Sequence, residues 1–348
     1  MSFGIIGLLV FTLSISVTAI TTPLIKKAAI KFGLLDLPEK RKAHNNPTPR
    51  VGGIGIFTGI ISACFLLIKY DPSLIPIVIG ATLIFSMGII DDIFGLSSKQ
   101  KLILQLIIGT LTYYMGISVH FVSSPLGGMF FLKWLSFPLS LLWIVGMTNA
   151  LNLIDGIDGL AAGITGISAT MLSIVAITTQ HYAAACLSLI ILGSCLGFLK
   201  YNFSPAKIFM GDSGAMLLGY LLACTSIIGV MKSTATFSLL IPILMLSIPI
   251  SDTLYAIIRR IRNKKKIFQA DFDHFHHKLL KQGFSVKQIT LGFYSLSLFF
   301  GIFALIISFS TGVLSYIILG LLIIFATAIG ILFKRKSTMV KSVLNLFL

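Results

Sequence analysis

Long apolar runs without a charged residue recur along this chain of 348 residues, and they restrict its fold more than any other feature. The run from Ile75 to Ile90 carries no charge, approaches the length of a membrane-crossing helix, and ends in Asp91 and Asp92. Hydrophobic residues make up 56% of the chain and charged residues only 11%, which is too apolar for a water-soluble globule. The sequence therefore predicts an all-α, polytopic integral membrane protein.

The hydropathy pattern predicts about eleven transmembrane helices within a single domain, residues 1–348. Their approximate bounds are 4–22, 52–68, 74–90, 102–118, 134–149, 160–179, 182–199, 213–231, 236–257, 288–309 and 313–333. Pro242 and Pro249 are expected to break the ninth helix near Ile248–Ser251, and a hairpin is expected within 119–132. The first basic residues follow the first apolar run, which indicates an N-terminus outside and a C-terminus in the cytoplasm.

The distribution of charge favours this orientation. With the N-terminus outside, all 27 Lys and Arg residues except Lys69, Lys133 and Lys232 fall on the inner side, as the positive-inside rule requires. This bias explains the net charge of +16 without a nucleic-acid partner. Of the 11 acids only Asp71 falls outside, which the rule does not require and which a site facing the cytoplasm would explain.

Five inner loops are thus expected to form the site. They are residues 23–51, 91–101, 150–159, 200–212 and 258–287. In the first loop, basic residues before Gly52 and Gly53 could make an anion-binding turn, although the positive-inside rule explains its charge equally well. In the second loop, Asp91 and Asp92 beside Lys101 suit a cation together with phosphate oxygens; an ordinary charged helix end is the alternative.

The third and fourth loops add acids and amides. Asn152, Asp155 and Asp158 are spaced so that a helical turn would place them nearly on one face. Their loop contains no basic residue, so it needs a cation or a ligand with hydrogen-bond donors. Asp212 lies at the expected start of a membrane-spanning helix, where it could cap the helix, bind a metal, or do both.

The fifth loop contains three histidines within four residues, His274, His276 and His277. Such a cluster beside acids indicates ligand or proton chemistry. On a helix, His274 and His277 would share a face, while His276 would point away. A zinc site is the competing interpretation, but no Cys lies nearby. Together the loops predict phosphoryl chemistry with Mg²⁺ at the inner membrane face and a lipid co-substrate.

Over essentially its whole length the chain resembles the polyprenyl-phosphate N-acetylhexosamine-1-phosphate transferases. The motifs that carry the resemblance are His44–Gly53, Asp91-Asp92, Asn152–Leu160, Asn202–Asp212 and His274–His277. The histidine motif is similar to that of the WecA/TagO branch, because Phe275 interrupts the three consecutive histidines of the related MraY branch. Ala270 and Phe272 depart from the proline and the basic residue that flank the position of Asp271 in this branch.

The resemblance implies transfer of an N-acetylhexosamine 1-phosphate from a UDP-sugar to undecaprenyl phosphate. The expected donor is UDP-GlcNAc. UMP would leave, and Mg²⁺ would be required, with Mn²⁺ as a substitute. This would be the first membrane step of a cell-envelope polysaccharide, such as lipopolysaccharide or teichoic acid, in the bacterial cytoplasmic membrane. The alternatives are an MraY-like phospho-MurNAc-pentapeptide transferase and an ion-coupled transporter, although transporters place ionisable residues near the bilayer midplane. The oligomeric state stays open, with a homodimer as one alternative.

The resemblance also implies residue roles. Asp212 and Asp92 are expected to bind the metal, and Asp91 to orient or deprotonate the lipid phosphate; a covalent phospho-enzyme is the alternative to direct attack. The residues expected to act in catalysis are Asp91, Asp92, Asp212, His274 and His277. The residues expected to bind substrate are His44, Arg50, Lys101, Asn152, Asp155, Asp158, Asn202 and His276.

Overall fold

The computed structural model describes residues 2–36, 47–123, 129–231, 240–262, 278–280, 282–310 and 315–320. The α-helices of this part are α1 (Phe3–Lys31), α2 (Gly53–Ile68), α3 (Ile75–Phe94), α4 (Ser98–Tyr114), α5 (Ser136–Ile154), α6 (Leu160–Thr178), α7 (Tyr182–Asn202), α8 (Gly211–Ser226), α9 (Leu240–Met245), α10 (Ser247–Arg262) and α11 (Val286–Phe309). A π-helix, Ile227–Met231, continues α8, and residues 278–280 and 315–320 are also helical. The predicted all-α class is confirmed.

Seven segments in the described part are long and apolar enough to cross a membrane, by length and composition. They are Phe3–Phe32, Pro72–Phe94, Lys133–Ile154, Leu160–Thr178, Tyr182–Asn202, Gly211–Gly229 and Val286–Phe309. The other four predicted spans are not among these seven segments, and the reasons differ. Helices α2 and α4 have only 16 and 17 residues, the ninth span is divided between α9 and α10, and most of the eleventh lies outside the described residues. The structure thus supports a polytopic membrane protein, while the count of eleven stays a prediction.

The ninth predicted span is interrupted, as expected, but the break lies two residues before the expected range. Helix α9 ends at Met245 and α10 begins at Ser247, so the break lies at Leu246 rather than at Ile248–Ser251. Pro249 belongs to the first turn of α10, where the missing N–H of a proline breaks no intrahelical hydrogen bond. The chain therefore breaks before this proline.

Helix α8 lies at the centre of the bundle. It packs against α2, α3, α5, α6 and α7, and its residues from Ser213 to Ser226 are all buried. Close contact with α3 depends on Gly88, because a Cβ there would lie 2.3 Å from the Cα of Ser213. The first turn of α8 is thus held against the last turns of α3.

Several helix ends that carry functional residues meet at one end of the bundle. The C-terminal ends of α3 and α5 meet the N-terminal ends of α4 and α8, through contacts described below. At the opposite end, the residues that precede α3, follow α4 and start α7 line one cavity together with Ile228. The predicted hairpin is confirmed: β3 (Phe121–Ser123) pairs with β4 (Met129–Phe131) in antiparallel register. A second short pair, β1 (Leu35–Asp36) with β2 (Thr48–Pro49), precedes α2.

Candidate active site

Asp212, in the first turn of α8, is the residue on which the predicted site converges. Its Oδ1 accepts a hydrogen bond from Nη2 of Arg50 at 3.0 Å. Its Oδ2 accepts from Nζ of Lys101 at 2.6 Å and from Nδ2 of Asn152 at 3.3 Å. These donors come from the segment before α2, the first turn of α4 and the last turn of α5. Four distant parts of the chain therefore meet at one carboxylate.

Lys101 joins two of the acids. Its Nζ contacts Oδ2 of Asp91 as well as Asp212, and Oδ1 of Asp91 accepts from the backbone N–H of Leu96 at 2.7 Å. Burial alone would lower the pKa of Lys101, but the charges of Asp212 and Asp91 outweigh burial and raise the pKa above its ordinary value. Lys101 is therefore a fixed cation between two carboxylates.

Asp92 is used differently, because it caps α8. Its Oδ1 accepts from the backbone N–H of Asp212 at 2.8 Å, and its Oδ2 accepts from that of Ser213 at 3.1 Å. Its side chain is 0% exposed. A carboxylate at a helix N-terminus satisfies free N–H groups and interacts favourably with the helix dipole. Asp92 thus fixes the helix that carries Asp212.

The turn before α8 requires a glycine. Gly211 has a φ of +77°, in the left-handed region that favours glycine. A Cβ there would lie 2.3 Å from the backbone oxygen of Arg50 and 2.6 Å from Oδ2 of Asp92. Gly211 therefore permits the close approach of the three elements that surround the acids.

Arg50 is positioned by backbone pairing. The N–H of Phe209 donates to the oxygen of Pro49 at 2.8 Å, and the N–H groups of Gly52 and Gly53 donate to Phe209 and Met210 at 2.9 and 2.7 Å. The Arg50 side chain is 42% exposed, so it lies at the mouth of the site. This solvent-accessible guanidinium could bind an anionic ligand in bidentate fashion.

The local charge is negative. The site contains three carboxylates, those of Asp91, Asp92 and Asp212, and two cationic side chains, those of Arg50 and Lys101. With all five ionised, the net charge is −1. Burial, followed by the charges of Asp212 and Asp92, raises the pKa of Asp155 to about 7. The arrangement could accept a positive ion together with phosphate oxygens, which the two cationic side chains could bind.

Two of the residues predicted to bind substrate make hydrogen bonds between loops. Oδ2 of Asp158 accepts from the backbone N–H of Ala206 at 2.9 Å. Asn202 accepts from the N–H of Gly159 at 3.1 Å and donates to the oxygen of Ile208 at 2.9 Å, and it is 3% exposed. These bonds tie the loop after α5 to the loop before α8. In this structure both side chains support the wall of the site.

Two further residues, absent from the predicted site, support the same wall. On α11, the hydroxyl of Thr290 donates to the backbone oxygen of Asp158 at 3.1 Å, and the hydroxyl of Tyr294 donates to the backbone oxygen of Gly159 at 2.5 Å. Their i, i+4 spacing at the start of an apolar helix is a polar stripe that could have been noticed. Nothing in the sequence indicated which loop it would contact.

The residues present fit a divalent cation only in part. Within the described ranges, no group of three or more His, Cys, Asp or Glu side chains forms a preformed metal cage. Mg²⁺, however, commonly takes one or two carboxylates and completes its shell with water and substrate phosphates. Asp212 and Asp92, with Asp91 and the amide of Asn152 beside them, match that donor set. The predicted residues His44, His274, His276 and His277 lie outside the described residues.

Comparison with known proteins finds transferases of the kind that the sequence motifs resemble. The profile of glycosyl transferase family 4 matches residues 74–230. A probable undecaprenyl-phosphate N-acetylglucosaminyl 1-phosphate transferase of Bacillus subtilis is 42% identical, over 92% of this chain and 90% of the relative. A decaprenyl-phosphate N-acetylglucosaminephosphotransferase of Mycobacterium tuberculosis is 34% identical, over 80% and 76%.

A more distant relative represents the alternative branch. A phospho-N-acetylmuramoyl-pentapeptide-transferase of Halalkalibacterium halodurans is 30% identical, over 86% of this chain and 95% of the relative. The bacterial relatives and the apolar helices agree with a multi-pass bacterial membrane protein. The chain belongs to the family of the polyprenyl-phosphate N-acetylglucosamine 1-phosphate transferases, and its central part matches glycosyl transferase family 4.

Proposed function

We propose that the chain transfers GlcNAc 1-phosphate from UDP-GlcNAc to undecaprenyl phosphate. An oxygen of the lipid phosphate would attack the phosphorus that bears the sugar, the bond to the uridylyl phosphate would break, and UMP would leave. The observation that carries the proposal is the contact of Arg50, Lys101 and Asn152 with Asp212. The relatives named for N-acetylglucosamine 1-phosphate transfer support the choice of sugar.

The proposed cofactor is Mg²⁺, with Mn²⁺ as a substitute. Asp212 and Asp92 are proposed to hold it, since each Asp92 oxygen keeps a lone pair beside its backbone hydrogen bond. Asp91 and Asn152 would lie beside them, because Asp91 shares Lys101 with Asp212 and Asn152 donates to Asp212. A bound divalent cation would neutralise diphosphate charge and stabilise the leaving UMP.

The chain's own residues would orient two anions that repel each other. Lys101 would hold oxygens of the lipid phosphate, and Asp91 would orient that phosphate or take its proton. Arg50, at the exposed mouth, would bind the diphosphate. Asp155 would contact the nucleotide, while Asp158 and Asn202 would keep the loops that surround it in place.

The histidine loop is proposed to complete the diphosphate and sugar contacts. His274 and His277 would bind the diphosphate and His276 the sugar, with His44 adding a contact from the first loop. His274→Ala and His277→Ala should each lower kcat/KM for the UDP-sugar at least tenfold, corresponding to about 1.4 kcal/mol or more, whereas His276→Ala should change sugar preference. Equal losses at all three positions would contradict the helical arrangement.

The decisive experiment uses purified protein, undecaprenyl phosphate and a panel of UDP-sugars. UMP release with a GlcNAc-containing lipid product, detected by mass spectrometry, is expected. A product from UDP-MurNAc-pentapeptide alone would assign the MraY-like reaction. Ligand exchange across vesicles without any lipid-linked product would assign a transporter, and either of these results would overturn the proposal.

The same preparation separates direct attack from a covalent intermediate. Direct attack predicts that labelled UMP does not exchange into UDP-GlcNAc unless the lipid phosphate is present. A covalent phospho-enzyme would allow that exchange without lipid.

The proposed topology has eleven spans, an outer N-terminus and five cytoplasmic loops that form the site, in the bacterial cytoplasmic membrane. The native cysteines Cys64, Cys186, Cys195 and Cys224 are all buried, so added cysteines can report accessibility. Met129→Cys, in the exposed β4 strand, should react with an impermeant reagent from outside the cell, and Lys99→Cys should not. Labelling of both from one side would overturn the orientation. A homodimer is proposed as an alternative to a monomer, which light scattering would decide.

A further inference from the structure

A buried amide pair lies one helical turn deeper in the bundle than the candidate site. Nδ2 of Asn149 donates to Oε1 of Gln105 at 2.6 Å, and Nε2 of Gln105 donates back to Oδ1 of Asn149 at 3.4 Å. Nε2 of Gln105 also lies 3.4 Å from the sulfur of Met216. Gln105 is 1% exposed and Asn149 is half-buried, so the pair lies largely inside the bundle.

The pair repeats the geometry of the site on the same three helices. Gln105 follows Lys101 by four residues on α4, and Asn149 precedes Asn152 by three residues on α5. Met216 follows Asp212 by four residues on α8. Residues three or four apart lie on one face of a helix. The amide pair and Met216 therefore form a layer directly beneath the layer of Lys101, Asn152 and Asp212.

An amide pair in an apolar bundle stabilises one relative position of its helices. Two amides that bond to each other form directional bonds, and a slide of one helix along the other would break both of them. Asn149 would then keep only its 2.8 Å bond to the backbone oxygen of Val145, and Gln105 only its contact with Met216.

The relative position of α4 and α5 matters for the layer above, because Lys101 on α4 and Asn152 on α5 donate to the same atom, Oδ2 of Asp212. A displacement of about 1 Å suffices to disturb catalytic geometry.

We propose that Gln105 and Asn149 are positioning residues that fix α4 against α5, so that Lys101 and Asn152 converge on Asp212. The inference deepens the proposed function and rests on it for the reaction that is measured. It makes a separate claim about geometry, which can be tested without turnover.

The test compares Gln105→Leu, Asn149→Leu, the double Leu variant, and the exchanged pair Gln105→Asn with Asn149→Gln. Each single variant removes the inter-amide bonds and leaves the remaining amide with unpaired atoms, so its apparent Tm should fall; the double variant removes both polar groups and should recover Tm. For all three Leu variants kcat should fall at least tenfold, while KM for each substrate stays within about threefold. The exchanged pair restores an amide on both helices and should recover most of the lost kcat.

A second readout does not depend on activity. Reductive methylation of Lys101, followed by mass spectrometry, reports how firmly its amine is held between Asp91 and Asp212. The rate should rise several-fold in the double Leu variant. Thr112→Val is the matched control, because Thr112 joins α4 to Tyr220 of α8 by a 3.0 Å hydrogen bond two turns further from the site. It should lower Tm but change neither kcat nor the methylation rate.

The two readouts separate the two claims. Wild-type kcat and methylation rate in the double Leu variant would overturn the inference and show that the pair serves stability alone. If the wild-type protein forms no lipid-linked product but Lys101 is released in the double Leu variant, the positioning role stands and the proposed reaction falls.

Discussion

The side chain of Asp92 accepts a hydrogen bond from the backbone N–H of Asp212 at 2.8 Å, so the last turn of α3 caps the first turn of α8. The adjacent Asp91 instead faces Lys101. Two neighbouring acids that look equivalent in sequence therefore have different tasks: one holds a helix in place, and the other faces the centre of the site.

This difference predicts unequal effects on stability. Asp92→Asn retains one acceptor oxygen where two backbone N–H groups need one each, so it should lower the free energy of unfolding by about 1–3 kcal/mol. Asp91→Asn is the matched control, because its remaining oxygen can still accept from Leu96 and Lys101 keeps its ion pair with Asp212. Thermal unfolding in detergent should give a lower apparent Tm for the Asp92 variant. Equal Tm values would contradict the capping role.

Asp212 should be indispensable for turnover. Asp212→Asn removes the charge that Arg50 and Lys101 both contact, and it should reduce kcat by at least about 10³-fold while the protein still inserts and remains monodisperse. Asp71→Asn is the control, since Asp71 caps a turn at the opposite end of the bundle and its replacement keeps an acceptor for Ser73. Activity of the Asp212 variant within a few-fold of wild type would mean that the carboxylate is structural.

Most of the helix positions could be predicted because membrane-spanning segments depend on local hydropathy. The meeting of Asp92 with Asp212 could not, because these residues are separated by 120 positions and no local pattern specifies which helices pack together. The shared motif order of a family supplied that information. The physical pattern alone predicted only acids at one membrane face.

Sequence was also a poor guide to how each side chain is used. Asp155 and Asp158 are each followed by a glycine and look equivalent in sequence, but Oδ2 of Asp158 accepts a hydrogen bond from the backbone N–H of Ala206. Whether a carboxylate faces ligand or backbone depends on the path of another loop. The break in the ninth span was also misplaced, by two residues. The prediction assumed that Pro249 interrupts a helix, whereas this proline lies in the first turn of α10.

Asp155 should make stability depend on pH. Its pKa is raised from 3.8 to about 7, so the folded state holds the proton more tightly than the unfolded state. The raised pKa of an acid means that stability falls as pH rises from about 4 to 7, and the loss is complete above 7. In metal-free buffer, the apparent Tm of wild type minus that of Asp155→Asn should therefore decrease from pH 5 to pH 8.

A bound divalent cation should weaken this dependence by offsetting the charges of Asp212 and Asp92. Added Mg²⁺ should accordingly move the pH-dependent interval to lower pH in the wild type and leave the Asp155→Asn curve unchanged in shape. Parallel curves for the two proteins, with and without Mg²⁺, would show that Asp155 does not titrate in this interval.

Gly211 offers a test of how tightly the acids are packed. Alanine at position 211 would have to adopt a φ of +77° and would bring its Cβ to 2.3 Å from the backbone of Arg50. Gly95→Ala is a matched control, because Gly95 has a similar φ of +71° but no neighbouring atom within 4 Å of the added Cβ. The control should cost about 1–3 kcal/mol of stability from backbone strain alone and retain most activity. Gly211→Ala should cost more and should also lower kcat at least tenfold, because Arg50 and Asp92 must move away from Asp212. Equal effects of the two substitutions on Tm and kcat would show that the turn before α8 can relax without disturbing the site.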